Sequence, residues 1–155
     1  MNITFLGTGT SQGIPVIGSK HEVCLSTDQR DKRLRSSLML QWNDFVYVID
    51  CGPDFRQQLL AAGASRLDGI LFTHYHADHT AGLVDIRPFS LRNGSVKMYM
   101  DSVVAENLKE RFAYIFATEN RYVGAPKVEI ITIDNQEFEL HGKKVCPVEV
   151  MHGRL

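Results

Sequence analysis

Four potential metal ligands, His74, His76, Asp78 and His79, fall within six consecutive positions. They lie in the run Thr73-His74-Tyr75-His76-Ala77-Asp78-His79-Thr80-Ala81-Gly82. Imidazole nitrogen and carboxylate oxygen suit zinc and other first-row divalent ions. The run follows Ile70-Leu71-Phe72, a short apolar stretch that reads as a buried strand. The chain must therefore fold so that a strand delivers this turn to the edge of a sheet. In an extended segment His74 and His76 point the same way, so two imidazoles can hold one ion. Once the chain turns, Asp78 and His79 diverge toward a second. Gly82 lets the backbone turn tightly into a following helix. The bland alternative is a polar turn with surface histidines, and a position directly behind a buried strand speaks against it. Structural zinc usually takes thiolates in a closed set, and this cluster has none. These residues favour an open, water-bearing hydrolytic site.

Composition narrows the setting. A chain of 155 residues, 44% hydrophobic and 23% charged, has the make-up of one globular domain spanning 1–155. That excludes a disordered tail, a collagen-like repeat and a disulfide-packed mini-protein. Lys plus Arg number 17 and Asp plus Glu 18, for a formal net charge of −1. This near balance gives no overall pull toward nucleic acid, which is not an expected partner, or toward acidic membranes. No apolar run approaches the roughly 20 residues of a membrane span. The opening Met1 to Gly7 lacks a basic n-region and a signal-length apolar stretch, so a cytoplasmic location is expected. Three cysteines, Cys24, Cys51 and Cys146, argue against a disulfide framework. Cys51 and Cys146, at predicted strand ends, read as small buried hydrophobes.

The apolar pattern predicts strands at Ile3–Leu6, Ser36–Trp42, Phe45–Ile49, Gly69–Phe72, Val96–Met100, Val128–Ile133, Phe138–Leu140 and Val145–Met151. Asn43-Asp44 marks a hairpin. Gly7 to Gly13 is a glycine- and hydroxyl-rich loop, and residues 18–35 read as a long polar loop. Asp54 is placed to cap a helix from Phe55 to about Ala62, which Gly63 ends. His74 to His79 reads as a turn, and Ala81 to Ile86 starts a helix that Pro88 limits. Asp101 to about Phe116 reads as one helix. The order of elements predicts an α/β fold with a mixed sheet.

Here the residues meet a known pattern. His74, His76, Asp78 and His79 resemble the signature of the metallo-β-lactamase superfamily of metal-dependent hydrolases. Phe45 to Gly52 is similar to that fold's strand ending in Asp-x-Gly. Val148-Glu149-Val150-Met151-His152 is similar to the later strand that delivers a third histidine. Gly7 to Pro15, Arg33 to Ser37 and Asp85 to Phe89 resemble the phosphodiesterase branch. That branch includes the cyclic phosphodiesterase associated with carbon–phosphorus lyase and, more distantly, the transfer-RNA 3′-processing endonuclease. The similarity covers essentially the whole chain.

The resemblance implies an αββα sandwich, of which this chain holds the first half and part of the second. It implies two divalent ions, zinc foremost, with manganese or iron open to the same donors. His74, His76 and His152 would hold one ion, Asp78 and His79 the other, and Asp50 would fix the histidine turn by hydrogen bonds. The implied activity is attack by a metal-bridging hydroxide on a small cyclic or nucleotide-like phosphodiester. Asp78 would also orient water, and Gly7 to Gly13 would offer backbone N–H groups to phosphate. Arg33, Arg35 and Arg87 either contact phosphate or form surface ion pairs, the second being the safer reading. The family continues past His152 with a bridging aspartate and a further histidine. The expectation is thus a C-terminally incomplete domain whose second ion is weakly held. Its exposed sheet face would either be covered by self-association, as in a homodimer, or leave the fold less stable. A non-catalytic metal-binding scaffold and a thioester hydrolase are the rival readings. Close relatives of the cyclic phosphodiesterase carry three cysteines for a structural zinc where this chain has Ser19, His21 and Cys24. His21 and Cys24 keep donors there, Ser19 is a poor one, and an ordinary polar loop is an equal reading.

Overall fold

The computed structural model describes residues 1–153. Six strands form one sheet in chain order: β1 (Asn2–Gly7), β2 (Ser37–Trp42), β3 (Phe45–Ile49), β4 (Gly69–Leu71), β5 (Val96–Met100) and β6 (Val128–Thr132). The first three pair antiparallel and the last three add in parallel, so the sheet is mixed as expected. The β2–β3 hairpin turns at Asn43, whose φ of 49° suits asparagine, and closes with Trp42 opposite Phe45. Beside the short α1 (Glu22–Leu25), the helices lie in the parallel crossovers. These are α2 (Phe55–Ala61), then α3 (Ala77–Thr80) and α4 (Arg87–Asn93), then α5 (Ser102–Arg111) and α6 (Ala113–Phe116). With the 3-10 turn Leu83–Ile86 they bury one sheet face, with Val48, Ile70 and Met98 against Phe55, Leu83, Ile86, Leu108 and Ile115. Among the described residues, no helix is long and apolar enough to cross a membrane.

The other face carries Trp42, Tyr47 and Tyr99 under a small hairpin, β7 (Phe138–Leu140) and β8 (Lys143–Val145). Trp42 stacks on Tyr47 with ring centroids 5.0 Å apart. His141, at the hairpin tip, pins it down. Its carbonyl accepts from Trp42 Nε1 at 3.2 Å, and its Nδ1 lies 2.7 Å from the Tyr47 hydroxyl. Ile3 and Phe5 extend this face to the edge strand and stay exposed.

Several local expectations are corrected. Asp54 does not cap α2. Its carboxylate accepts from the Arg35 backbone N–H at 2.8 Å and pairs with the Arg35 guanidinium at 2.9 Å. Pro88 opens α4 rather than limiting a helix, because a first-turn position needs no N–H. The predicted helix 101–116 breaks at Phe112, which leaves the helical region at φ −116°, ψ 39°. The polar loop 18–35 contains α1 and a 3-10 turn at Gln29–Asp31, and it is tied to the opening loop through Gly9–Arg35 and Ile14–Arg33 bridges. The last predicted strand stops at Val145. Pro147 lacks the N–H a ladder needs, and residues 146–151 take no sheet partner. Cys51 is fully buried as expected, but Cys146 is exposed because its segment lies outside the sheet.

Candidate metal centre

The site starts where β3 ends. Asp50 adopts φ 62°, a left-handed conformation that aspartate tolerates, and is 4% exposed. Its N–H donates to the Leu71 carbonyl at 2.9 Å, which ties the end of β3 to the end of β4. Its carboxylate accepts from the Thr73 N–H at 2.8 Å, the Thr73 hydroxyl at 2.7 Å and His79 Nδ1 at 2.7 Å. A buried carboxylate needs such donors, and three charge-assisted bonds satisfy it. Asp50 thus fixes the histidine turn by hydrogen bonds.

The following residues clasp the turn through backbone. Cys51 N–H donates to the His79 carbonyl at 2.7 Å, and Gly82 N–H donates to the Cys51 carbonyl at 2.8 Å. A Cβ on Gly52 would collide with the Asp78 carbonyl, and one on Gly82 with the Gly52 carbonyl. Gly82 has an ordinary φ of −82°, so close approach, not a tight turn, requires glycine there.

Asp50 also sets two imidazole tautomers. A carboxylate only accepts, so His79 presents Nδ1–H to it and leaves Nε2 as the other face. The single Thr73 hydroxyl proton goes to Asp50. The same oxygen therefore accepts from His74 Nδ1, 3.0 Å away. That leaves His74 Nε2 as an acceptor, buried and with no hydrogen-bond partner. Burial first, then the His79 charge, holds the His74 pKa below the ordinary imidazole value and favours this neutral form. His79 moves the other way, raised first by its bond to Asp50 while burial opposes.

Around the His74 nitrogen two other imidazoles gather. One nitrogen each of His74, His76 and His152 lie within 4.8 Å of one another, the only such group of three His, Cys, Asp or Glu residues among the described ones. His76 Nδ1 and His152 Nε2 are 3.4 Å apart, so at most one proton lies between them. Asp78 Oδ2 is 3.2 Å from His79 Nε2 and forms a second, two-ligand locus. An orphaned buried nitrogen facing two more imidazoles is the donor set a divalent cation would satisfy. His152 reaches this place without the expected strand and remains exposed. The turn ends in α3, which starts at Ala77 and carries Asp78 and His79.

A cleft of about 350 Å³ opens beside the cluster, lined by Gly9, Thr10, Ser11, Ser36, His76, Asp78, His79 and His152. The opening loop and the histidines therefore share one cavity, at the carboxyl ends of the strands, where open α/β sheets bind ligands. A larger cavity, about 530 Å³, opens at the amino ends of β4 and β5. Its Arg66 is already paired with Asp68 at 2.6 Å and no metal-ligating triad lines it, so the smaller cleft is the candidate site.

Three contributors escaped the sequence reading. Thr73 relays Asp50 to His74, and a hydroxyl directly before a histidine was the available signal. The Thr80 hydroxyl donates to the His76 carbonyl at 2.9 Å, and Arg111 donates to the Tyr75 carbonyl at 2.7 Å. Arg33 and Arg35 are engaged locally, Arg33 with the Thr8 hydroxyl and Arg35 with Asp54 and the Ser11 carbonyl. Arg87 is exposed. His21 caps α1, its Nδ1 accepting from Val23 N–H, and Cys24 Sγ accepts from Val16 N–H. Neither joins a group of three ligands.

The chain has similar counterparts among known proteins. A family model described as "Beta-lactamase superfamily domain" matches residues 46–155. The crystal structure of a diphosphatase of the PhnP family aligns with TM-score 0.88 at 39% identity, over 99% of this chain and 58% of that one. An octanoyltransferase of Porphyromonas gingivalis is 38% identical, over 100% of this chain and 32% of that protein. A ribonuclease Z of Methanosarcina acetivorans is 27% identical, over 99% of this chain and 41% of that protein. The chain thus spans less than two thirds of each of these three.

Proposed function

We propose that this chain, which belongs to the beta-lactamase superfamily, supplies the metal-binding part of a hydrolase acting on small cyclic or nucleotide-like phosphodiesters. The observation that carries the reading is the set of three imidazole nitrogens within 4.8 Å, on a cleft that also holds the Gly9–Ser11 loop. His74, His76 and His152 would hold one divalent ion, with zinc first among the candidates. Asp78 and His79 would hold a second more weakly, because two ligands hold less than three. Bound ions of this kind lower the pKa of water from 15.7 to about 7 and offset charge on phosphoryl oxygens.

The chain's own residues do the rest. Asp50 keeps the His79 proton on Nδ1 and, through Thr73, the His74 proton on Nδ1. His74 Nε2 is thereby free to ligate, and His79 Nε2 is turned to Asp78 Oδ2 at the second locus. Thr10, Ser11 and Ser36 offer neutral hydrogen-bonding groups in the cleft. The neighbouring Arg33 and Arg35 hold the loop instead of facing a ligand. A cleft of about 350 Å³ with no free arginine among its lining suits a small diester better than a polyanion. The diphosphatase and the ribonuclease Z support phosphorus–oxygen chemistry by similarity.

The test is turnover of bis(p-nitrophenyl) phosphate by zinc- or manganese-loaded protein, with S-lactoylglutathione as the thioester rival. Phosphodiester turnover lost in His76→Ala supports the reading. Thioester turnover without phosphodiester turnover overturns it. Metal binding with neither activity favours the scaffold.

A further inference from the structure

Asp50 accounts for His74 and His79 but touches nothing at His76. The groups that hold His76 come from elsewhere. Tyr75 precedes it, and the Tyr75 carbonyl accepts from Arg111 at 2.7 Å. Thr80 follows it, and the Thr80 hydroxyl gives its one proton to the His76 carbonyl at 2.9 Å. The same hydroxyl oxygen lies 3.4 Å from the Arg111 guanidinium, so it accepts there. One guanidinium thus bonds the peptide before His76 directly and reaches the peptide after it through Thr80. Among the described residues no carboxylate lies within 4.0 Å of Arg111, so no acid competes for the guanidinium. Both contacts come from one terminal nitrogen, Nη1, whose two N–H bonds serve the two acceptors.

We infer that Arg111, in the last turn of α5 and 36 residues from Tyr75, is a positioning residue for His76, which fixes the peptide planes that aim this imidazole at the cluster. The inference rests on the metal-binding reading above. Its rival is a plain helix-end role, since a cation in a last turn also complements the helix dipole. Lysine keeps that charge but, on a flexible stem, lacks the rigid planar group that sets Nη1 between the two acceptors, so the two roles separate.

The experiment is zinc titration of the protein and of its Arg111→Ala and Arg111→Lys variants against a chromophoric chelator. The visible spectrum of the cobalt form and the melting temperature of the metal-free protein are read alongside. Groups that orient ligands typically contribute 10- to 100-fold in metal affinity. Arg111→Ala is expected to weaken zinc about 10-fold, to change the cobalt bands and to leave stoichiometry unchanged. Arg111→Lys should recover part of the affinity. An Arg111→Ala affinity within twofold of wild type overturns the role of Arg111 alone. So does a complete recovery of affinity and cobalt bands by lysine, which would assign the effect to helix-end charge. A wild-type protein that takes up no zinc overturns the metal reading and this inference together.

Discussion

The two halves of the histidine cluster are built differently. His74 and His79 hang from a buried carboxylate at the end of a central strand, and both imidazoles have their tautomers set. His76 and His152 meet at the cleft, one held through peptide carbonyls and the other exposed on a segment without sheet partners. The first pair is part of the folding core, because the same Asp50 satisfies Thr73 and stitches β3 to β4. The second pair is an addition to it. Imidazole placement and fold stability are therefore one property on the first side and two on the second.

Asp50→Ala should do the most damage. It removes the acceptor of three hydrogen bonds from a buried site. The expected loss is about 3 kcal/mol in urea unfolding, together with a large fall in zinc affinity. A variant as stable as wild type would erase the contrast between the halves. Gly52→Ala comes next. Its new Cβ meets backbone rather than a flexible side chain, so the clasp must shift, at a cost of about 1–3 kcal/mol. His152→Ala should leave urea unfolding within about 0.5 kcal/mol of wild type while zinc affinity drops more than in Arg111→Ala. A matching loss of stability would show that the second half is as structural as the first.

The smallest effect is with pH, in metal-free protein. The His79 pKa is raised above the ordinary 6.5, so its contribution to stability is full below 6.5 and fades as pH rises through the folded value. The His74 pKa is lowered, so its contribution is present above 6.5 and lost as pH falls through its folded value. Imidazole NMR titration should therefore show His79 changing above His74. Zinc should abolish both titrations, because ligated imidazole is neutral. Two superimposed titrations at 6.5 would deny that Asp50 treats the two rings differently.

Much of this was legible in the chain. The spacing of His74, His76, Asp78 and His79 behind an apolar strand identified the turn, whereas the anchoring role of Asp50 came only from the family resemblance, since Asp before Gly-Pro by itself reads as a cap or turn residue. The mixed sheet followed from the order of apolar runs. What stayed hidden depended on partners distant in sequence. Asp54 has the look of a helix cap, but a guanidinium 19 residues away outbids the helix N–H groups for it. The run from Val145 reads as a strand by composition, but a strand needs a ladder, and Pro147 cannot donate to one. Arg111 carries no local sign at all, since its acceptor is a backbone carbonyl, which every residue has.

The double duty of Asp50 bears on how such a protein would decay. A lineage relieved of catalysis has no reason to keep His152, whose replacement leaves the core intact. It does have reason to keep Asp50, whose loss would cost folding itself. Drift toward an inert scaffold would therefore strip the rim first and leave the carboxylate behind. Asp50 standing without a ligand at position 152 would be the mark of such drift.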